Sequence, residues 1–323
     1  MRALGLLMEG FTSDKPSRKA DYLGRVEFLE AYLFWYLPHN LLKFSSLLPR
    51  LNLEPSSQLT DFGSGPLTVP LAFWLLKKDW RALDLGWTLV EPYSKALDSG
   101  LKLLEHVVSR FGQTLAWKFS RVRGRLGVAI QRKASLVVCS HVLNEVHDTE
   151  TNLVHQLLRD VLPGAHLLLV EPGTRLASRR LVKLRGEFLK QKLRILAPCT
   201  HLGPCPAPGL HSHDHFCHFP GQSERPRWME EVADQLGTQY NTRPVSFLHV
   251  QASSGPSSSL KRARVISTEL PIPQLVHAHY LCAQEGLLVG HGREGNLWGE
   301  VVDYRLETEH DPKTRRPRAK IIF

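Results

Sequence analysis

Apolar residues recur at helical spacing near the start of the chain. Val26, Leu29 and Leu33 follow one another at intervals of three and four residues, and a second set with the same spacing begins after Pro38. Residues three and four apart share one face of a helix, so this pattern predicts two packed helices between Tyr22 and Leu53.

Beyond Glu54 the pattern changes to short apolar strands that alternate with helical segments. A strand that starts at Leu59 enters a Gly-rich turn and an apolar helix, and a second strand, Trp87–Val90, leads into another helix. Two further apolar strands are predicted at Ser135–Ser140 and Ala165–Val170. Such alternation is typical of an α/β fold, in which helices cover both faces of a doubly wound parallel sheet.

The last part of the chain is predicted to hold a basic helix, a Cys-rich loop and short strands. The expected segments are residues 1–55 for N-terminal helices, 56–196 for the α/β domain, 197–230 for a Cys/His metal-binding loop, 231–311 for a C-terminal β region and 312–323 for a basic tail. We expect a flexible linker at Ser253–Ser259 and a disordered tail at Lys313–Lys320, because both are polar and lack periodic apolar residues.

Charge points to a polyanionic partner. The 41 Lys and Arg residues exceed the 31 Asp and Glu residues and give a formal net charge of +10, so nucleic acid is the leading candidate. The basic stretches are Arg121–Lys133, the predicted helix Arg175–Arg194 and the tail, and the aromatic residues available for stacking on bases are Trp228, Tyr240 and Trp298. Such basic faces are also common as merely solvated surface.

Targeting signals are few. No apolar run reaches the roughly 18 residues that a membrane-spanning helix needs, and the N-terminus has no secretory cleavage site. We therefore expect an intracellular monomer without a membrane or DNA partner. A bacterial-type cytoplasm is preferred, with the mitochondrial matrix as the alternative, because the start of the chain lacks the Arg-rich amphipathic helix of a transit peptide. Five cysteines, an odd number in a reducing compartment, favour metal binding over disulfides.

The first candidate site is the turn after the first strand, which contains Asp61, Gly63, Ser64 and Gly65. Small residues let the backbone approach a nucleotide, and the carboxylate of Glu91, at the end of the next strand, suits ribose hydroxyls. The run lacks the third small residue of the dinucleotide-binding pattern, so S-adenosylmethionine is preferred as cofactor. The alternative is a plain tight turn without a ligand.

The second candidate site follows the strand Ser135–Ser140, since the carboxyl ends of strands carry ligand-binding groups in such sheets. His141, Asn144 and Glu145 are candidates for contact with substrate, and His141 is placed with the cofactor-binding residues. The alternative, favoured by the absence of a recognisable catalytic motif, is that all three cap and solvate a short helix. No catalytic residue is assigned, and Cys139 is expected to be a small core residue.

The third candidate site is the loop Ala197–Phe219, which is too poor in apolar residues to fold by burial. Three thiolates within it and a fourth further along suit either a 4Fe-4S cluster or a tetrahedral zinc site. These cysteines are Cys199, Cys205, Cys217 and Cys282, and rival zinc ligands are His201, His211, His213, His215 and His218. Judged on these residues alone, zinc is the default, and a surface loop with incidental cysteines is the alternative to any metal.

Several stretches together resemble the Rsm22 family. They are DFGSGP, VEPYSKAL, VVCSHVLNEV, LLLVEPGT, APCTHLGPCP, FCHF and RVISTELP. The similarity extends roughly from Tyr22 to Glu300. Its most specific part is the Ala-Pro-Cys-x-His region with the Cys-His-Phe that follows.

This resemblance implies a class I methyltransferase-like fold, a role in assembly of the small ribosomal subunit with contact to its rRNA, and a 4Fe-4S cluster. The implied cluster ligands are Cys199, Cys205, Cys217 and Cys282, which would pin the C-terminal β extension. The expected function is a small-subunit assembly or translation factor. The alternatives are an active S-adenosylmethionine-dependent rRNA methyltransferase and a zinc-stabilised RNA-binding protein. Leu67 stands where the family has Gly, and its side chain is expected to crowd the cofactor pocket.

Overall fold

A computed structural model describes residues 2–12, 22–207, 216–221, 226–237, 244–254 and 262–322. Most of the predicted linker Ser253–Ser259 lies outside this part of the chain. Two compact units are present: the first is Met1–Asp148, His155–Ala165 and Gly221–Arg243, and the second is Thr149–Val154, His166–Pro220 and Pro244–Phe323. Strand β5, Val161–Pro172, belongs to both units because the division falls within it.

The N-terminal segment is helical, as predicted, although it is not a simple pair of helices. It contains α1 (Arg2–Thr12), α2 (Val26–Ala31), a π-helical turn (Tyr32–Tyr36) and α3 (Leu37–Leu47). Pro38 does not separate two helices. It follows directly after the π-helical turn, in a backbone that stays helical on both sides, so its missing N–H group removes one bond from this irregular stretch without ending the helix.

The central element is a mixed β-sheet. Its strands are β1 (Gln58–Phe62), β2 (Gly86–Val90), β3 (Lys118–Val122), β4 (Ala134–Ser140), β5, β6 (Leu193–Ala197) and β7 (Val245–Ser254). The accompanying helices are α4 (Thr68–Leu76), α5 (Ser94–Arg110), α6 (Glu150–Arg159), α7 (Arg175–Lys190) and α8 (Arg227–Gln235).

The strand order is β3-β2-β1-β4-β5-β7-β6. Strand β1 runs parallel to β2 and β4, β2 runs parallel to β3, and β7 is antiparallel to both β5 and β6. This doubly wound order with one reversed strand is the class I methyltransferase arrangement, so the predicted fold class is confirmed. Strand β7 was expected to belong to a separate C-terminal β region, but it lies in this sheet between β5 and β6. Cys139 is fully buried in β4, as predicted.

The end of the chain forms a closed five-stranded barrel within the second unit. Its strands are β8 (Arg262–Val265), β9 (His279–Ala283), β10 (Gly286–His291), β11 (Val301–His310) and β12 (Pro317–Ile322). The prediction of a disordered tail is therefore wrong. Ala319 and Ile321 alternate with Arg318 and Lys320, and this period of two places the apolar pair in the barrel core. No helix in the described part of the chain is long and apolar enough to cross a membrane.

Candidate functional site

The glycine turn joins the carboxyl ends of β1 and β2 in the first unit. The N–H group of Gly63 donates to the carbonyl oxygen of Val90 over 2.8 Å, and the Ser64 hydroxyl donates to the main-chain carbonyl of Asp61, also over 2.8 Å. Gly63 and Gly65 have φ angles of 70° and 49°, which lie in the left-handed region that favours glycine. Asp61, Gly63, Ser64 and Gly65 therefore form a hydrogen-bonded turn at the place where the sequence predicted one.

Two buried carboxylates lie beside this turn. Asp61 is 0% exposed and Glu91 is 4% exposed. Glu91 accepts hydrogen bonds from the N–H groups of Gly65, at 2.9 Å, and Tyr93, at 3.2 Å. Neither carboxylate oxygen of Asp61 has a donor within hydrogen-bond distance among the described residues, although the Ser64 hydroxyl, which donates to the Asp61 main-chain carbonyl, lies near enough to lower the pKa of the carboxyl group. A buried carboxylate without a donor is uncommon in folded proteins and marks Asp61 as a candidate ligand-binding group.

Burial controls the charge of both carboxyl groups. It raises the pKa of Glu91 to about 7, against the opposing effect of its two N–H donors. Burial, followed by the nearby Glu91 carboxylate, holds the pKa of Asp61 well above its ordinary value. Two adjacent carboxyl groups with raised pKa values suit ligands that supply hydroxyl donors or a positive charge.

The N-terminal turn Tyr22–Gly24 packs against the glycine turn, a contact that the sequence did not indicate. The Leu23 Cδ1 atom lies 3.5 Å from the position that a Cβ atom on Gly65 would take. The Tyr22 hydroxyl donates to Glu145 Oε1 over 3.3 Å, and burial, then Glu145, raises the pKa of Tyr22 well above its ordinary value. No periodic signal links residues more than a hundred positions apart, so only the fold identifies this contact.

A second group of polar side chains runs from the N-terminal helices to the end of β4. Asn40 Nδ2 donates to the Tyr32 hydroxyl over 3.2 Å, and Lys43 Nζ donates to Asn40 Oδ1 over 3.0 Å. Lys43 Nζ also lies 3.5 Å from His141 Nε2. Burial, then the Lys43 charge, holds the pKa of His141 well below its ordinary value, so His141 is neutral at physiological pH. Sequence reasoning found His141 but missed Tyr32, Asn40 and Lys43.

Leu67 follows the turn with a φ angle of 59° and is fully buried. Its Cδ1 atom lies 2.8 Å from the position that a Cβ atom on Gly100 of α5 would take. The side chain thus packs toward α5, and the expected crowding of the cofactor pocket stays a prediction. Glu145 and Asn144 lie in the short turn Leu143–Glu145, which follows the end of β4.

The four cysteines of the predicted metal site come close together within the second unit. Burial raises the pKa of Cys217 well above its ordinary value, and the thiols of Cys205, Cys199 and Cys282 raise it further. Burial, then Cys199, raises the pKa of Cys205 to about 11. The described residues nevertheless include no group of three or more His, Cys, Asp or Glu side chains arranged to hold a metal ion.

Two arginines face the cysteine cluster. Arg185, only 4% exposed, donates from Nε to Cys199 Sγ over 3.1 Å and from Nη2 to the carbonyl oxygen of His201 over 2.7 Å. Arg264 Nε donates to the carbonyl oxygen of Pro198 over 2.8 Å and lowers the pKa of Cys217. Four thiolates would bring negative charge next to these guanidinium groups, so the donor set fits a thiolate-bound metal or cluster.

The histidines that could bind zinc in place of a cysteine lie at different places relative to the four cysteines. His201 Nε2 lies 3.3 Å from Cys282 Sγ, which places it at the cluster. His218 Nδ1 lies 2.8 Å from the carbonyl oxygen of Phe216, and the two rings stack at 4.2 Å. Three others, His211, His213 and His215, lie outside the described residues.

The basic helix α7 exposes only part of its charge. Arg179 and Lys183 are exposed, whereas Arg180 is partly buried and Arg185 is buried at the cysteine cluster. Lys183 Nζ lies 3.9 Å from Glu150 Oε1. Of the stacking candidates, Trp228 is 37% exposed, the Trp298 indole donates to the carbonyl oxygen of His218, and Tyr240 lies outside the described residues.

Comparison with known proteins identifies one family. A family model described as Rsm22, mitochondrial small ribosomal subunit Rsm22, matches residues 41–290, well over half of the chain. No curated protein matches the chain significantly.

Several solved structures share a general likeness with this chain. YcgJ from Bacillus subtilis is 11% identical over 68% of this chain and 100% of its own, with a TM-score of 0.39. A methyltransferase from Geobacter sulfurreducens in complex with S-adenosyl-L-homocysteine is 14% identical over 66% and 90%, with a TM-score of 0.38. A Leishmania major methyltransferase is 11% identical over 76% and 89%, with a TM-score of 0.43.

Proposed function

Since this chain belongs to the Rsm22 family, we propose that it acts in mitochondria as an assembly or translation factor of the small ribosomal subunit. The family match over residues 41–290 carries this proposal. It favours the mitochondrial matrix over the bacterial-type cytoplasm that the sequence suggested. The positive net charge of +10 is consistent with a partner made largely of rRNA.

The first site would bind S-adenosylmethionine. The residues that would hold it are Asp61, Gly63, Ser64, Gly65, Glu91 and His141. Asp61 supports this assignment best, because its buried carboxylate oxygens accept no hydrogen bond from the described residues. When bound, the cofactor supplies a methyl group on a positively charged sulfur. The protein's own part is to hold Glu91 in place through the Gly65 and Tyr93 N–H groups and to keep His141 neutral beside Lys43.

The four cysteines would hold a 4Fe-4S cluster in a structural role. Its ligands would be Cys199, Cys205, Cys217 and Cys282, with Arg185 and Arg264 neutralising part of their charge. Three of these cysteines belong to the loop after β6 and Cys282 belongs to β9, so the metal would tie this loop to the barrel within the second unit. Zinc is the alternative occupant, since the same thiolates suit it.

Contact with rRNA would use the exposed face of α7. Charge reversal of Arg179 and Lys183, written R179E/K183E, leaves the buried side of the helix intact. We expect weaker co-sedimentation with purified small subunits and a smaller dependence on salt. The slope of log K against log salt should shrink by about 0.7 to 0.9 for each phosphate group that the variant no longer binds. The control is Arg110→Glu at the end of α5, which changes the same kind of charge on an exposed residue. An unchanged slope for R179E/K183E would exclude this face.

An active rRNA methyltransferase is the second candidate function. The contact between Lys43 and His141, itself one of the proposed cofactor residues, favours it, because a neutral imidazole can accept a proton. Purified protein is incubated with small-subunit RNA and methyl-labelled S-adenosylmethionine. If the enzyme hypothesis holds, label enters the RNA, and Glu91→Gln abolishes cofactor binding and labelling together. Unlabelled RNA despite measurable cofactor binding would leave the assembly function as the better account.

A further inference from the structure

We propose that the C-terminal barrel is a binding module for single-stranded RNA, with its phosphate contacts supplied by the loop between β11 and β12. The choice of RNA among oligonucleotides rests on the proposed ribosomal function. The assignment of the barrel rests on its strand pairing and on the side chains that this pairing brings to one edge.

The order and direction of the five strands are specific. Strand β9 pairs antiparallel with both β8 and β10, and β11 pairs antiparallel with both β8 and β12. Strands β10 and β12 close the barrel as a parallel pair. Numbered from β8, this is a closed 1-2-3-5-4 barrel with strands 3 and 5 parallel, which is the topology of the OB-fold. OB-folds bind oligonucleotides on the surface of strands 2 and 3 and on the 1–2 and 4–5 loops. Strands 2 and 3 of this barrel, β9 and β10, are almost entirely buried, so its loops are the exposed part of that surface.

The 4–5 loop of this barrel, residues 311–316, is a basic turn closed by hydrogen bonds. Asp311 is buried, and its Oδ1 atom accepts the N–H group of Thr314 over 2.6 Å. Its main-chain N–H group donates to the carbonyl oxygen of Arg316 over 2.8 Å, and its own carbonyl oxygen accepts from the N–H group of Arg315 over 2.7 Å. These bonds close the turn and leave Lys313 and Arg315 exposed. Two cations are thus held where an OB-fold contacts a nucleic-acid backbone.

Arg316 supplies a flat surface next to these cations. Its guanidinium carbon lies 5.2 Å from the centre of the Tyr280 ring, which belongs to β9, the second strand of the barrel. The ring is only 8% exposed, so it serves as a cation–π partner of the guanidinium and is not itself the contact surface. A guanidinium plane fixed on an aromatic ring offers its outer face to an unstacked base.

The acidic side chains of β11 are partly offset by basic partners. Glu309 pairs with Arg318 of β12 over 2.7 Å, and Asp303 pairs with Arg262 of β8 over 3.2 Å. Glu307 lies 3.1 Å from His291 of β10, which offsets its charge only when the imidazole is protonated. Lys320, also on β12, is exposed and adds a third cation to those of the loop. The 4–5 loop and the first part of β12, residues 311–320, therefore carry five basic side chains against the single acid Asp311.

The test uses the full-length protein and a fluorescent single-stranded RNA of about 12 nucleotides, within the usual OB-fold site size. The variant K313A/R315A/K320A should bind at least tenfold more weakly, and its salt slope should fall by about 2, at about 0.7 for each single-strand phosphate contact. The matched control, K95A/K102A/R110A on α5, removes three exposed cations from the first unit and should bind like the unaltered protein. The proposal is overturned if K313A/R315A/K320A binds the RNA as tightly as K95A/K102A/R110A does.

A second variant separates stacking from charge. Arg316→Lys keeps the positive charge but removes the planar group, so we expect at least about fivefold weaker binding with an unchanged salt slope. Binding within twofold of the unaltered protein would exclude the stacking contact. A 12-base-pair RNA duplex, or single-stranded DNA of the same sequence, that binds more tightly than the single-stranded RNA would also overturn the proposal.

Failure of the barrel proposal can be told apart from failure of the proposed function. Co-sedimentation with small subunits is measured in parallel with binding of the short RNA. Absence of co-sedimentation, together with a loss of short-RNA binding in K313A/R315A/K320A, would overturn the ribosomal function and support the barrel as an RNA module. If the protein co-sediments normally with small subunits and K313A/R315A/K320A binds the short RNA as well as the unaltered protein does, the ribosomal function stands and the barrel proposal is overturned.

Discussion

The main-chain N–H group of Gly65 donates a hydrogen bond to Glu91 Oε2 over 2.9 Å. This bond ties the glycine turn after β1 to the carboxylate that follows β2, although the two residues belong to different loops. The conformation of the turn and the position of the carboxylate are therefore set together. A change at either residue is expected to alter ligand binding at the other.

Cofactor affinity should depend on the charge of Glu91. Ribose hydroxyls donate hydrogen bonds, so they favour the ionised carboxylate, whereas burial raises the pKa of Glu91 to about 7 in the free protein. Affinity for S-adenosylmethionine should therefore fall as the pH drops below about 7, approaching tenfold per pH unit. Calorimetric titration at pH 6, 7 and 8 measures this dependence. An affinity that is constant across this range would show that the cofactor does not contact Glu91.

The same carboxyl group should lower stability at high pH. Its pKa rises from 4.5 to about 7 on folding, so the folded state holds a proton that the unfolded state releases. The contribution of this group to stability is then fully present below about pH 4.5 and is lost as the pH rises from 4.5 through about 7. Glu91→Gln cannot ionise, so it should be more stable than the unaltered protein at pH 8, by up to about 3 kcal/mol, with little difference at pH 4. Urea unfolding at both pH values measures this, and equal differences would contradict it.

At position 67 the glycine variant should be more stable than the alanine variant, which reverses the order usually found at buried positions. Both Leu67→Ala and Leu67→Gly remove a fully buried side chain, which costs about 2–5 kcal/mol. Glycine also removes the strain of a φ angle of 59°, about 1 kcal/mol or more. We therefore expect the glycine variant to be the more stable of the two in urea unfolding. A more stable alanine variant would contradict the left-handed conformation at this position.

Gly100 of α5 should not tolerate a side chain. A Cβ atom there would lie 2.4 Å from the carbonyl carbon of Pro66 and 2.6 Å from its oxygen, and backbone atoms cannot rotate away. Gly100→Ala should destabilise the protein by about 1–3 kcal/mol and weaken S-adenosylmethionine binding by shifting the glycine turn.

The control for this substitution is Gly186→Ala. A Cβ atom on Gly186, in α7, would meet no atom within 4 Å. This variant should gain about 0.5–1 kcal/mol, because alanine is the better helix former. Thermal unfolding of both variants gives the comparison, and equal melting temperatures would contradict the predicted contact at Pro66.

Loss of one cysteine should empty the proposed metal site. Cys282→Ser removes one of four thiolates, so protein purified without oxygen should lose its iron or zinc and melt at a lower temperature. Cys139→Ala is the control, since Cys139 is buried in β4 and should leave the metal content unchanged. Full metal content in Cys282→Ser would exclude this residue as a ligand.

The identity of the metal is decided on the unaltered protein. A 4Fe-4S cluster gives a brown protein with about four irons per chain, with broad visible absorption. A colourless protein with one zinc per chain would show that the site holds zinc and not a 4Fe-4S cluster.

The sequence by itself predicted the elements whose apolar residues repeat regularly. Strands such as β4, buried on both faces, read as continuous apolar runs, and the turn after β1 was found from its small residues. It also placed Asp61 and Glu91 at neighbouring strand ends, because parallel strands end at one edge of a sheet. Strand β3 was missed since it is mostly exposed and rich in basic residues, which made it resemble a solvated surface.

Tertiary structure alone decided what depends on distant residues. The contacts of Tyr22 with Glu145 and of Lys43 with His141 join segments about a hundred positions apart, and nothing local in either segment indicates its partner. The same is true of the tail. Read locally, it is a polar, basic stretch, yet β10 and β11 supply the hydrogen bonds that make it a strand, and the barrel core buries Ala319 and Ile321. A local pattern records which residues can be buried, whereas the partners that bury them are set only by the folded chain.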